Sequence, residues 1–319
     1  MQSNPHSISV IDPLTRALDY TRAMLLQPFD LQKWFVIGFC AWLAQLGQGG
    51  LNGGFNYGGG GSHHPSSPQE VLDQAHRYVV ANLAWIIPLA IFLIALILAI
   101  WVLCVWLSSR GKFMFLHCVA LNRAEVAAPW SMFAPDASSL FVFRLLLGLG
   151  GTILFLPVLV LVGFMAFGIA KSGSPNFVML LPIIGLGLVM IGFAIVWAII
   201  AKLTNDFIVP IMFLRRAVVT DAWRVLWDLI RTHPGEIVLY FLFQILLAMA
   251  IGAILLVVIL LTCCIAGCLM LIPYIGTVLI LPILTFQRAY SAFYLAQFGP
   301  DFDVFPEPLP PLTGPLPSL

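Results

Sequence analysis

Charged side chains are scarce in this 319-residue chain, since Asp, Glu, Lys and Arg together make up 9% of it, against about 25% in soluble domains. Apolar residues make up 61%, and the mean hydropathy is +1.01. This composition excludes a water-soluble globule, because too few polar side chains remain to cover its surface. The net charge of +1 gives no basic excess, so we expect no nucleic-acid partner. The expected environment is the lipid bilayer.

The sequence also lacks the motifs of common enzyme classes. It contains no His-Glu-x-x-His zinc motif, no Gly-x-Ser-x-Gly nucleophile elbow and no glycine-rich phosphate loop that ends in Lys-Ser or Lys-Thr. We therefore expect no cofactor and rank an enzyme last, although scattered intramembrane residues would still permit an active site.

Long apolar runs predict an all-α fold with six transmembrane helices in a single membrane domain, residues 1–298. The runs cover residues 34–47, 79–107, 140–170, 177–203, 237–261 and 269–297. The second and third exceed the roughly 20 residues that cross a hydrocarbon core of about 30 Å. We expect them to tilt, or to kink at Pro88 and Pro157. The first is so short that an interfacial or re-entrant segment is the alternative.

The distribution of basic residues favours six crossings, because Lys and Arg are retained in cytoplasmic loops. With six crossings, thirteen of the fifteen basic residues lie on one side, and Arg77 and Lys171 lie on the other. Without the first crossing, ten basic residues would lie on one side of the membrane and five on the other. The sequence thus predicts a multi-pass protein of the bacterial inner membrane with both termini in the cytoplasm.

Three cytoplasmic amphipathic segments, near residues 13, 112 and 212, suggest a threefold parallel repeat with units 12–107, 108–208 and 209–298. A proline and then a carboxylate precede the crossing helix in each unit: Pro28 and Asp30, Pro135 and Asp136, Pro234 and Glu236. The proline ends the amphipathic helix, and the carboxylate favours the positive end of the next helix dipole. The alternative is that any series of membrane hairpins looks periodic.

Three ionisable residues lie within or near the predicted spans, namely Arg144, Asp206 and Arg288. A charge at the bilayer centre costs about 2.5–3.5 kcal/mol on insertion scales, so these residues are candidates for function. Asp206 could pair with Arg144 or with Arg288, as a structural contact or as part of a transport path. The alternative is that all three side chains extend to the membrane interface.

The glycine-rich segment 47–78, predicted to be an exoplasmic loop, contains adjacent imidazoles at His63 and His64. These imidazoles could bind a metal ion, but a flexible linker is the favoured interpretation. Cys263, Cys264 and Cys268 cluster near the end of the fifth run, where packing, a disulfide or a metal ion would explain them. The proline-rich segment 299–319 predicts an extended or disordered cytoplasmic tail.

One part of the chain resembles a known group of proteins. The quoted stretches are Asp206-Phe207-Ile208-Val209-Pro210, Ala222-Trp223 and Pro234-Gly235-Glu236. Residues 177–298, which contain them, resemble bacterial multi-pass membrane proteins related to the membrane domain fused to some glycerophosphodiester phosphodiesterases. The resemblance implies membrane residence, and it transfers no catalytic residue because the soluble phosphodiesterase barrel has no counterpart here.

Two functions from different classes follow from these patterns. The first is a non-enzymatic membrane scaffold or interaction module, whose amphipathic segments lie on the anionic leaflet and bind a membrane-protein partner or a second copy. The second is a small-solute or lipid permease that uses Arg144, Asp206 and Arg288. The position of these three residues relative to a cavity separates the two hypotheses.

Overall fold

The computed structural model describes residues 8–46, 82–172, 177–262, 265–270 and 272–305, and every regular element within them is helical. Their α-helices are α1 (Asp12–Leu26), α2 (Leu31–Gln45), α3 (Leu83–Leu121), α4 (Ala127–Met132), α5 (Ala134–Ser172), α6 (Phe177–Leu203), α7 (Val209–Arg215), α8 (Val219–Thr232), α9 (Pro234–Leu261), α10 (Ile265–Met270), α11 (Pro273–Leu279) and α12 (Leu281–Ala296). A π-helical turn, Thr204–Ile208, joins α6 to α7, and a 3-10 turn, Pro300–Phe302, follows α12. The all-α prediction is confirmed for these residues.

Four stretches of the described chain are long and apolar enough to cross a membrane, namely Ala84–Leu121, Ala134–Met165, Leu181–Arg215 and Pro234–Leu261. At most 6% of the most apolar window of each is buried inside the protein. Their leucine, isoleucine and phenylalanine side chains therefore form the outer surface, as expected of helices whose solvent is lipid. Helices α11 and α12 pass the same test only as a pair bent by 64°. The number of candidate spans is thus four, or five with the bent pair, and not the predicted six.

The first predicted span, residues 34–47, accounts for part of this difference. It forms α2, which has 15 residues and is only about 22 Å long at 1.5 Å per residue. This length is too short for α2 to cross the bilayer by itself. Ile37, Cys40 and Leu43 are buried against other helices, so the run is apolar because α2 is a packing helix.

Helix α2 packs antiparallel to the C-terminal half of α3. A Cβ atom on Gly111 would lie 2.5 Å from the backbone nitrogen of Ala44, so the two backbones can approach this closely only with glycine at that position. The Ser108 hydroxyl donates to the Ala44 carbonyl (2.7 Å) at one end, and the Lys33 ammonium donates to the Asn122 side chain (2.8 Å) at the other. These contacts fix the part of α3 that carries the serines of the site described below.

The buried core is formed by α1, α2, the C-terminal half of α3, α7, α8 and α12, together with the first turns of α5 and α9. Tyr20 of α1 donates to the backbone carbonyl of Val119 near the end of α3. The rings of Phe133 and Phe213 stack with centroids 4.9 Å apart. The long apolar helices extend from this core. Polar side chains at the helix ends nearest the core, hereafter called the inner ends, are therefore held in fixed positions.

The three carboxylates predicted at these junctions lie at the starts of helices, although the first of these helices, α2, is not a candidate span. The Asp30 carboxylate caps α2 by accepting from the backbone amides of Gln32 and Lys33, at 2.9 and 3.3 Å. Asp136 and Glu236 lie in the first turns of α5 and α9. In each case the carboxylate meets the positive end of a helix dipole.

A threefold repeat is not shown by these elements. Helices α1 and α8 are both amphipathic, but the 15-residue α2 follows α1 and the 28-residue α9 follows α8. The predicted second amphipathic segment, near residue 112, lies inside α3. The buried stripes of α1 and α8, which include Ala17 and Ala222, pack against the protein core.

The start of the proline-rich tail also differs from the prediction. Within residues 299–305, Val304 is buried, and the Phe305 ring stacks on Phe293 with centroids 4.2 Å apart. This part of the predicted disordered tail is docked on the core instead. Residues 306–319 lie outside the described residues.

Candidate functional site

A cavity of about 640 Å³ opens between α3, α5 and α6 at the inner ends of the membrane helices. This volume lies within the range of roughly 300–1,000 Å³ that is usual for ligand sites. Polar and basic side chains line one part of the cavity, and aromatic and small apolar side chains line the rest. The lining residues are Trp101, Val105, Lys112, Arg144, Leu147, Gly148, Phe155, Ala194, Trp197, Ala198, Ala201, Lys202, Thr204 and Asn205. The cavity is therefore amphipathic.

The π-helical turn supplies the polar residues on the α6 side. The backbone amide of Val209 donates to the carbonyl of Thr204, five residues earlier. Pro210, the next residue, has no amide hydrogen and would clash with the carbonyl four residues before it in a regular α-helix. The wider turn inserts one extra residue at this point, and such insertions are frequent at functional sites. It places Asn205 at the cavity and Asp206 in the core beside it.

Arg144 of α5 lies on the cavity wall and contacts two serines of α3. One of its terminal nitrogens donates to the hydroxyls of Ser108 (3.1 Å) and Ser109 (3.2 Å). Both hydroxyls donate in turn to backbone carbonyls, of Ala44 at 2.7 Å and of Val105 at 2.8 Å. The guanidinium is thus held in place by a pair of hydroxyls whose own orientation is fixed.

Two further basic residues meet at Asn205. The Lys112 ammonium donates to the Asn205 side-chain oxygen, and the Arg288 guanidinium donates to the Asn205 backbone carbonyl. Lys112 is only 6% exposed. Two other nitrogens of Arg288, Nε and Nη2, are buried and have no hydrogen-bond partner among the described residues. Asn205, a neutral residue, is therefore the common partner of two cations.

Asp206 belongs to a hydrogen-bonded network on the other side of the turn. Its carboxylate forms an ion pair with Lys202 (2.8 Å) and accepts from the Tyr240 hydroxyl (2.8 Å). Gln244 donates to the same hydroxyl (3.0 Å) and accepts from Lys202 (3.3 Å). Tyr240 is fully buried, so this network connects α6 to α9 inside the protein.

The ten residues that form these contacts are hereafter called the polar cluster: Ser108, Ser109, Lys112, Arg144, Lys202, Asn205, Asp206, Tyr240, Gln244 and Arg288. It contains four basic side chains and one carboxylate. With the four basic side chains protonated, Asp206 ionised and Tyr240 neutral, its formal charge is +3. A site with this balance attracts an anion.

The three candidate residues from the sequence thus lie in one cluster, but with partners that differ from those proposed. Asp206 forms its ion pair with Lys202 rather than with Arg144 or Arg288. Arg144 lines the cavity, whereas Asp206 and Arg288 lie behind Asn205. Lys112 and Lys202 belong to the thirteen basic residues that the sequence assigns to the cytoplasmic side, and no feature of the sequence singled them out. The spacing of Lys202 and Asp206, four residues apart on one helix, was the signal that could have found this pair.

The apolar wall of the cavity depends on two glycines of α5. A Cβ atom on Gly148 would lie 2.8 Å from the ring of Trp101, and one on Gly151 would lie 2.8 Å from the ring of Trp197. The glycines therefore leave room for the two indoles. The same two rings also line a shallow groove of about 440 Å³, which continues along α5 past Phe155.

Most of the other predicted sites belong to parts of the chain that the structure does not describe. His63 and His64, the glycine-rich segment 47–78, and Cys263 and Cys264 lie outside the described residues. Cys268 is described, and it is an exposed free thiol. Within the described part of the chain, no three His, Cys, Asp or Glu side chains form a group that could hold a metal ion.

The fold and site define a protein whose described elements are all helical, with membrane-length apolar helices and a basic cavity at their inner ends. It belongs to a family of unknown function (DUF7544), whose model matches residues 8–284. The match includes every residue of the polar cluster except Arg288. No curated protein and no solved structure matches the chain. The family match provides no link to the membrane domain of the phosphodiesterases.

Proposed function

We propose that this protein is a membrane permease for an anionic small solute or lipid, and that the ligand binds in the cavity between α3, α5 and α6. The observation that carries the proposal is the presence of Lys112, Arg144 and Lys202 on the wall of one cavity. Cations are costly beside lipid, at about 2.5–3.5 kcal/mol each on insertion scales. A bound anion would offset much of this cost.

The fixed orientation of the cations also supports ligand binding. The serine pair holds Arg144 and the Asn205 side chain holds Lys112. Groups that are ordered before binding lose little further entropy when a ligand arrives. The cavity thus offers a rigid set of donors next to a membrane-facing surface.

Flux through proteoliposomes tests the proposal. The purified protein is reconstituted, and uptake of radiolabelled phosphate and exposure of fluorescent phosphatidylglycerol to dithionite are measured in separate arms. We expect at least one arm to exceed protein-free vesicles, and we expect Arg144→Gln to reduce it about tenfold, the usual effect of removing a charged donor. Arg22→Gln is the matched control, because Arg22 is exposed on α1. Activity no higher than that of empty vesicles in both arms would exclude these two cargo types and, with them, the proposal as stated.

We further propose that both termini lie on the cytoplasmic side of a bacterial inner membrane. Ser9 and Gln297 support a common side, because they exchange two hydrogen bonds of 2.8 Å. The bond from Tyr20 to Val119 puts α1 at the end of α3. In a variant whose six native cysteines are replaced by serine, a cysteine introduced at Ser9 should react with an impermeant maleimide only after the cells are opened.

A scaffold is the second candidate function, and an exposed aromatic and basic patch on α8 favours it. Trp227 is 51% exposed, and the Arg231 guanidinium lies 5.3 Å from the centre of its ring. Exposed tryptophan beside arginine is typical of a membrane interface. Charge reversal at Arg224 and Arg231 should weaken binding to anionic lipid or to a protein partner if α8 serves this function. Unchanged lipid preference and partner capture would contradict it.

A further inference from the structure

We infer that the cavity binds an anionic phospholipid taken directly from the bilayer, with the phosphate at Lys112 and Arg144 and one acyl chain in the groove along α5. The inference rests on the proposed function, because it names the class of ligand that this same cavity receives. It also makes a separate claim about how the ligand arrives, namely sideways from the lipid and not from the water.

The first observation is the continuity of the cavity with the groove. Four residues, Trp101, Gly148, Phe155 and Trp197, line both spaces. The groove then continues along α5 to Leu156 and Leu159, which are 57% and 63% exposed on the membrane-facing surface. A free inorganic anion would have no use for this extension, whereas an acyl chain gains burial along its whole length.

The second observation is the division of chemistry along the helices. Lys112, Arg144 and Lys202 lie at the inner end of the space, and Phe155, Leu156 and Leu159 lie at the outer end. The charged groups and the chains of a phospholipid are arranged in the same order from the membrane surface to the bilayer centre. The ligand can therefore enter without turning over, and its headgroup meets cations as its chain meets apolar walls.

The third observation concerns the two glycines of α5. They allow the six-membered rings of the Trp101 and Trp197 indoles to approach the helix backbone closely, since a methyl group at Gly148 or Gly151 would lie 2.8 Å from a ring atom. A methyl group would push the indoles into the space that the chain needs. Gly150 offers a matched control on the same helix, because nothing lies within 4 Å of the position its Cβ would take.

Lipid retention measured by native mass spectrometry tests the inference on the full-length protein. The protein is purified in detergent and mixed with phosphatidylglycerol, phosphatidylcholine or inorganic phosphate. We expect phosphatidylglycerol to be retained about tenfold better than phosphatidylcholine, because only the former carries net negative charge. Lys112→Gln and Arg144→Gln should abolish this preference. Gly151→Ala should reduce retention of phosphatidylglycerol, and Gly150→Ala should leave it unchanged.

Three outcomes would overturn the inference. Equal retention of both lipids would remove the role of the cations, and equal effects of Gly150→Ala and Gly151→Ala would remove the role of the groove. Binding of inorganic phosphate that excludes phosphatidylglycerol would show that the ligand is a free anion. The flux assay separates this inference from the proposed function. Retention of phosphatidylglycerol without flux would contradict the permease alone, and phosphate flux without lipid retention would contradict the lipid alone.

Discussion

Replacing Tyr240 by phenylalanine removes one oxygen atom from the centre of the polar cluster. That oxygen donates to the Asp206 carboxylate at 2.8 Å and accepts from the Gln244 amide at 3.0 Å. A hydrogen bond to a charged group contributes roughly 1.5–3 kcal/mol and a neutral one about 1 kcal/mol. Because Tyr240 is fully buried, water cannot replace the lost partner. The free energy of unfolding should fall by about 3 kcal/mol.

Tyr290→Phe is the matched control for this variant. Tyr290 is also fully buried, and its ring stacks on that of Tyr240. Among the described residues, however, its hydroxyl donates only to the Val10 carbonyl, at 3.4 Å. The same deletion should therefore cost less than about 1 kcal/mol.

Thermal unfolding in detergent measures the difference between the two variants. For a chain of this size, about 1 kcal/mol corresponds to roughly 2 °C in the midpoint. We expect Tyr240→Phe to lower the midpoint by about 6 °C and Tyr290→Phe by at most about 2 °C. Equal shifts would refute the reasoning, because they would show that the hydrogen bonds to Asp206 and Gln244 contribute no more than one long contact.

Two further predictions concern the packing of α2. Gly111→Ala should destabilise the protein by about 2 kcal/mol in the same assay, because the new methyl group overlaps the α2 backbone. Gly185→Ala is the control. It should not destabilise the protein, because the new methyl group meets no atom within 4 Å. The second prediction concerns Cys40 of α2. The hydrogen bond with Cys118 and burial raise the pKa of the Cys40 thiol. Cys40 should therefore resist alkylation from pH 7 to pH 9, whereas the exposed Cys268 should react. Rapid native labelling of Cys40, measured by mass spectrometry, would contradict this burial.

The long helices could be predicted from the sequence because lipid-facing helices require unbroken apolar runs, and four such runs became candidate spans. The same signal failed for α2. A run of 14 apolar residues is produced equally by a short membrane segment and by a helix buried in protein. Only the tertiary contact between Gly111 and the α2 backbone decides between them, and no local pattern contains that contact.

The polar cluster could be predicted in part for a related reason. Arg144, Asp206 and Arg288 are conspicuous because each interrupts an apolar run. Lys112 and Lys202 lie at the ends of such runs, where a cation usually reaches the interface. Their role depends on the continuation of α3 for 39 residues and on the π-helical turn after α6. Both features result from packing among distant helices.

The energetics of the polar cluster favour ligand binding over a purely structural role. A protein that needs only to hold helices together gains little from four cations around one carboxylate, because well-packed apolar residues of similar volume are often equally or more stabilising. The cluster here includes Lys112 at 6% exposure and two buried, unpartnered nitrogens of Arg288. Each of these groups is costly in the unliganded protein, and an anion in the cavity would lower the cost of Lys112, which lies on the cavity wall. A stabilisation that increases with phosphatidylglycerol concentration, and that is lost in Arg144→Gln, is therefore the expected thermodynamic signature of this arrangement.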